Sequence, residues 1–149
     1  MKILQISALG GLLWFVFASW YPADTQGRLR LEISNIQTAG GTIWVGVYDD
    51  EKHYFDQQKA LIKAVPVSAT GRVELEIGAL RYGTYAIALF HDVNNNGTLD
   101  RNALGVPTEP YAFSQLPRSR WRLPRFDEVQ FRFRHNDQVL HTELKRWWD

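Results

Sequence analysis

An all-β sandwich is predicted by three features of the chain. Apolar residues recur at every second position in most of its ordered stretches, the period of a half-buried strand. Glycine, asparagine and aspartate separate these stretches at the spacing expected of a sandwich. One stretch, Tyr85 to Phe90, is apolar on both faces, as suits a central strand buried on both sides.

The elements follow in order. Leu29, Leu31 and Ile33 alternate with Arg28, Arg30, Glu32 and Ser34. Ala39-Gly40-Gly41 makes a turn, and Ile43, Val45 and Val47 repeat the pattern up to Tyr48-Asp49. Residues 50–60 carry five charged side chains, Asp50, Glu51, Lys52, Asp56 and Lys59, and fit a solvated loop or a short helical turn. A weaker strand covers Leu61 to Val67, and a clean one carries Val73, Leu75 and Ile77 between Arg72, Glu74 and Glu76. Gly83 opens the central strand. Residues 92–127 have no comparable stretch and are expected to form a long structured loop. Val129, Phe131 and Phe133 alternate again, and Asn136-Asp137 turns the chain into Val139 to Leu144. Seven strands at this spacing predict a Greek-key sandwich.

With 149 residues the chain suits one domain. Seventeen Lys and Arg against 16 Asp and Glu argue against a nucleic-acid binder, which carries a basic excess. The lack of cysteine excludes a disulfide framework, a thiolate zinc site and a cysteine nucleophile. Between Lys2 and Asp24 there is no charge, and Ile3 to Phe17 is almost wholly apolar. This layout predicts a secretory signal over residues 1–18, cleaved after Val16-Phe17-Ala18. An N-terminal anchor over 3–21 is the alternative, long enough to cross a bilayer. Residues 19–27 are then a linker and 28–149 the single domain, periplasmic or secreted.

The strongest chemistry follows the central strand. Asp92, Asn94, Asn96 and Asp100 stand at positions 1, 3, 5 and 9 of a loop with Gly97 at position 6. Alternate oxygens in a tight turn suit a hard cation such as Ca²⁺, which takes six to eight oxygen ligands. Thr98 would add a carbonyl, and Glu109 could return to supply charge. The pattern is the front half of an EF-hand loop, set after a strand and ending at Ala103 where that motif has a bidentate Glu. Affinity should be weak, on the order of 10⁻⁴–10⁻³ M. A bare turn is the competing explanation, since Asn and Gly tolerate positive φ.

Gly83-Thr84-Tyr85-Ala86-Ile87-Ala88-Leu89-Phe90-His91-Asp92-Val93-Asn94-Asn95-Asn96-Gly97-Thr98-Leu99-Asp100, followed by Leu104-Gly105-Val106-Pro107-Thr108-Glu109, Tyr111-Ala112-Phe113-Ser114 and Pro124-Arg125-Phe126-Asp127, resembles the signature of a bacterial exported family, domain-of-unknown-function family 2141. Gln115, where the family usually has Asn, and the Arg-rich stretch before Pro124 depart from its pattern. The resemblance implies a secreted or periplasmic sandwich, prealbumin-like in style, and no known reaction.

Other residues offer weaker candidates. Arg118, Arg120, Arg122 and Arg125 surround Trp121 and could dock phosphate-bearing polymers or anionic head groups, or form a solvated loop with a packed Trp. Leu144 to Trp148 could sit at a membrane interface or pack at a strand end. Trp44, Tyr48, Tyr54 and Tyr111 could stack on sugars, although such rings are common in sandwich cores and edges. His91, Asp92 and Ser114 have the composition of a nucleophilic triad, but adjacent residues of a strand face opposite ways and no nucleophile elbow surrounds Ser114. His53, His135 and His141 lack zinc-ligand spacing.

Two functions are consistent with these features. The first is a non-catalytic envelope or extracellular module, stabilised by Ca²⁺ at the Asp/Asn loop, whose partner is a protein, glycan or lipid. It contacts a membrane only if residues 3–21 remain as an anchor. The alternative is a metal-dependent hydrolase at the 92–109 loop, with Asp49 and Asp50 joining Asp92, Asp100 and Glu109 as base and ligands.

Overall fold

The computed structural model describes residues 25–149. The proposed signal or anchor, and the linker as far as residue 24, lie outside the described residues. Eight strands form: β1 (Gln26–Ile36), β2 (Thr42–Tyr48), β3 (Leu61–Pro66), β4 (Gly71–Arg81), β5 (Gly83–Asp92), β6 (Tyr111–Phe113), β7 (Phe131–Phe133) and β8 (Gln138–Glu143). A 3₁₀ turn at Glu51–His53 and a four-residue helix, α1 (Phe126–Val129), complete the set. β1 begins two residues before the expected domain start and so takes in Gln26 and Gly27.

The strands make two sheets. One has the order β4-β1-β8, with β1 antiparallel to β4 and parallel to β8. The other has the order β3-β2-β5-β6, and β7 also pairs with β5. Leu29, Leu31, Ile33 and Ile77 from the first sheet pack on Ile43, Val45, Ile87 and Leu89 from the second in one buried cluster. These are the inward members of the alternation, so period-two patterning sets the register of both sheets. Fully burying each such side chain contributes roughly 1.5–3 kcal/mol.

The strand count differs from the expected seven because of β6. Its three residues are too short for alternation to reveal and lie in the stretch expected to be loop. β6 pairs with the second half of β5, Ala88 to Phe90, and β7 with the first half, Gly83 to Tyr85. Both therefore run along the same edge of β5, separated by an excursion over residues 114–130. Ser114 stitches the gap. Its Oγ accepts from Ile87 N–H at 2.9 Å and donates to the Val129 carbonyl. Val129, expected in a strand, instead ends α1 and is fully buried.

β5 is central, flanked by β2 on one side and by β6 and β7 on the other. Its outward residues Ala86, Ala88 and Phe90 are apolar too. At one end Ala86 packs with Tyr48, Phe126 and Val129 in a second cluster, with Tyr54 and Phe113 against it. The 3₁₀ segment and α1 thus cover one end of the outer face of this sheet. The other end stays open.

Candidate functional site

The loop after β5 starts from a sharply constrained corner. Gly41 has φ +74°, and a Cβ there would lie 2.2 Å from the Asp92 carbonyl oxygen; only glycine permits both the conformation and the approach. His91 and Asp92 are each 1% exposed and face opposite sides of β5. His91 points inward, where its Nε2 donates to the Gly40 carbonyl at 2.7 Å. Asp92 points outward, and its Oδ2 accepts from the Trp44 indole at 3.2 Å.

Asp92 organises the loop. Its Oδ1 accepts from Asn96 N–H at 3.0 Å and its Oδ2 from Gly97 N–H at 2.7 Å. Burial by itself would raise its pKa, but donation from the Gly97 and Asn96 amides, the Trp44 indole and the Asn95 amide outweighs it and holds the carboxyl below its ordinary range. Asn94 Oδ1 accepts from Asn96 N–H, and Asn96 Oδ1 accepts from both the amide and the hydroxyl of Thr98. The two Asn side-chain amides donate to the two oxygens of Asp100, each at 2.8 Å. Glu109 does return. It is 6% exposed, and its oxygens accept from Val93 N–H at 2.9 Å and Asp100 N–H at 3.1 Å.

All six predicted ligands, Asp92, Asn94, Asn96, Thr98, Asp100 and Glu109, therefore meet in one network. Within it the carboxylates serve as acceptors for protein N–H groups. Among the described residues, no three His, Asp or Glu side chains converge on a point that could hold a metal ion, so an ion here would depend on amide and carbonyl oxygens as well. Asp49 and Asp50 are placed elsewhere. Thr42 pairs with Asp92 while Tyr48 pairs with Ala86, so the two ends of this strand pair are about 20 Å apart at 3.3 Å per residue. Asp50 instead caps the 3₁₀ turn through Lys52 N–H and lies 3.4 Å from His53. His141 lies 3.4 Å from Glu32, in the other sheet.

Beside the loop, the open end of the outer face is a groove of about 770 Å³, within the range of ligand pockets. Its floor is the outward face of β2 and β5, including Trp44, Gly46, Ala88 and Phe90. One wall is the 92–109 loop, with Leu99, Leu104 and Val106; the other is the 114–130 excursion, with Trp121 and Leu123. Of the proposed sugar-stacking rings, Trp44, Tyr48 and Tyr111 line the groove. Tyr54 does not; it packs edge-on against Tyr48 at 5.2 Å and Phe126 at 5.8 Å, and its buried hydroxyl has no partner among the described residues. Burial chiefly pushes that phenol up.

The Arg-rich segment is more ordered than a solvated loop. Arg122 makes a bidentate pair with Glu128, whose side chain is 1% exposed, and Glu128 also accepts from Arg125 N–H. The Arg122 guanidinium, that backbone donor and the charge of Arg125 hold the Glu128 carboxyl at about 2. Trp121 stacks edge-on against Trp147 at 5.4 Å, and Arg120 donates to the Trp147 carbonyl, which ties the C-terminal Trp to the excursion. Ser114 is buried in the stitch described above and makes no contact with His91 or Asp92.

The groove itself escaped the sequence reading because its walls come from separate segments. A signal was present: the outward positions of β2 read Trp44-Gly46-Tyr48 and those of β5 Ala86-Ala88-Phe90, apolar on the solvent side and small in the middle, which makes a trough.

The fold and the site define a class: two-sheet, all-β domains with an apolar groove on the outer face of one sheet, walled by a carboxylate-braced loop. Within that class the chain belongs to the bacterial family described as "uncharacterized protein conserved in bacteria (DUF2141)", whose profile matches residues 31–141. No curated protein and no solved structure matches the chain.

Proposed function

We propose that this protein is an exported, non-catalytic binding module of the periplasm or extracellular space, with its partner seated in the groove of the five-stranded sheet. The observation that carries the reading is the convergence of two excursions on one sheet face, leaving an apolar groove instead of a packed layer. Exposed apolar surface of this kind is characteristic of binding sites. Export rests on the uncharged stretch Ile3 to Phe17.

The proposal takes the architecture to be a seven-strand, prealbumin-like Greek key, with β6 and β7 as two halves of one interrupted strand. Pairing of both along a single edge of β5 supports this. It also takes the 92–109 loop to bind Ca²⁺ weakly through Asp92, Asn94, Asn96, Thr98, Asp100 and Glu109. Support comes from the gathering of these six residues in one network. An ion would take the place of the Asn94 and Asn96 amides against Asp100, turning their oxygens inward.

Thermal unfolding of the purified chain in EDTA and across a Ca²⁺ titration, with Mg²⁺ as control, tests the ion. With a Kd near ~10⁻⁴ M, ~10 mM Ca²⁺ should stabilise by about 2.7 kcal/mol, roughly 10 °C for a domain of this size. A flat titration removes the ion from the proposal. Binding in the groove is tested with Nile red, a neutral apolar dye. Saturable uptake weakened by Trp121→Ala is expected, and no uptake would remove the binding module.

A further inference from the structure

The charges around the groove all have one sign. Among the described residues, Arg101, Arg120 and Arg122 are the charged side chains that line it, and no Asp or Glu does. Arg122 is neutralised by Glu128. Arg101 and Arg120 are exposed, and their guanidinium groups donate to the backbone carbonyls of Gly105 and Trp147. Neither has a carboxylate partner among the described residues. A guanidinium that donates only to a neutral carbonyl retains its full positive charge and several free donors in a planar fork suited to carboxylate or phosphate.

The remaining lining is mostly apolar. Leu104, Trp121 and Leu123, which are 87%, 82% and 57% exposed, stand on the rim. Gln57, Thr98 and Ser119 are the uncharged polar side chains present apart from two tyrosines and the tryptophan indoles. A glycan would bring many hydroxyls for which so few partners exist, and each one buried unpaired is costly. An acyl chain brings none.

We infer that the groove binds a monomeric amphipathic anion, an acyl chain lying along the apolar floor with a single carboxylate held between Arg101 and Arg120. This inference rests on the groove being a binding site and names the class of its ligand. Charge complementarity fixes the head, and the floor of Trp44, Ala88 and Phe90 suits the tail. The anion supplies the counter-charge that the fold leaves out.

Decanoate and 1-decanol, which share the chain and differ in the head, separate the two contributions. Purified protein carrying Nile red is titrated with each below its micellar concentration, and dye release is followed. Decanoate should displace the dye with one-to-one stoichiometry, and decanol should need at least tenfold more. The double variant R101Q/R120Q replaces two exposed side chains; it should weaken decanoate at least tenfold and leave decanol unchanged. R101Q alone should show a smaller loss in the same direction if the double variant is unstable. Equal displacement by the two ligands, or dye uptake with no displacement by decanoate, overturns the anion while leaving the groove a binding site. Binding to anionic vesicles but not to monomeric decanoate overturns it in favour of a membrane surface. Failure of Nile red itself to bind removes both readings.

Discussion

Segments 93–110 and 114–130 flank one three-residue strand and wall one groove, yet acidic side chains hold them in different ways. In the first, Asp92 and Glu109 are buried, and most of what they accept comes from backbone N–H groups fixed by the chain. In the second, Glu128 is buried but its main partner, Arg122, is half-exposed on a long side chain. A backbone donor loses little entropy on engagement, whereas an arginine must be immobilised and remains open to solvent and salt. The first wall is therefore built as scaffold, and the second as a lip that can give.

The largest effect that would test this contrast is Asp92→Ala. It strips the acceptor from the Gly97 amide and the Trp44 indole and leaves Asn96 N–H with Asn94 Oδ1 alone, and each hydrogen bond to a charged group contributes about 1.5–3 kcal/mol. A loss on the order of 3–5 kcal/mol in urea unfolding is expected, unchanged by 1 M NaCl. A loss below about 1 kcal/mol would mean that the loop is not braced by this carboxylate.

Ser114→Ala comes next. It leaves Ile87 N–H and the Val129 carbonyl unpaired at the root of the second excursion, and about 2 kcal/mol should be lost. Faster hydrogen exchange should appear at Ile87 before it appears at Asn96. Simultaneous exchange would show that the two walls open as one unit.

Acid should release the walls at different pH. A carboxyl with a depressed native pKa binds fewer protons folded than unfolded, so its contribution is complete above the unfolded value and is lost as pH falls through the native one. For Glu128 that window runs from 4.5 down to about 2; for Asp92 it opens only below 3.8. Urea midpoints should thus decline from near pH 4.5 in the native chain. Glu128→Gln should remove the early part of the decline, and Asp92→Asn should flatten only the later part. Identical slopes in all three proteins would break the assignment.

Arg122→Ala should have the smallest effect at neutral pH, below that of Ser114→Ala. Its cost should shrink further in 1 M NaCl because the pair is screened. A cost insensitive to salt would place this wall in the same class as the first.

Most of the fold was legible in the chain because both sheets are patterned with period two. Leu29-Leu31-Ile33, Ile43-Val45-Val47 and Ile87-Leu89 all lie in the predicted core. β6 was not legible: three residues cannot display a period, and it is hydrogen bonding to Ala88 and Phe90 that makes Tyr111–Phe113 a strand. Val129 carries the correct alternation but falls in α1, where one helical turn leads into β7. At the site, residue type made Glu109 a candidate to return to the Asp/Asn loop, and only the structure brings its carboxylate onto the Val93 and Asp100 amides. The part played by Trp44 did not, because nothing local to Trp44 indicates that its ring N–H will reach an acid 48 residues away. The lack of an elbow around Ser114 already argued against a nucleophile, but nothing local showed that its hydroxyl joins two halves of an edge.

The parallel pairing of β1 with β8 has a consequence for assembly. Ser34 Oγ donates to the Thr142 carbonyl 108 positions later, so the first strand acquires its second neighbour only from the last. This is a contact of very high order, and closing so long a loop makes such topologies slow to fold. Until Gln138–Glu143 is available, β1 offers an open edge to any other strand, including that of a second nascent copy. Completion of the three-stranded sheet therefore waits for Gln138–Glu143 to emerge, and a chain cut short before β8 would be prone to pair with its neighbours.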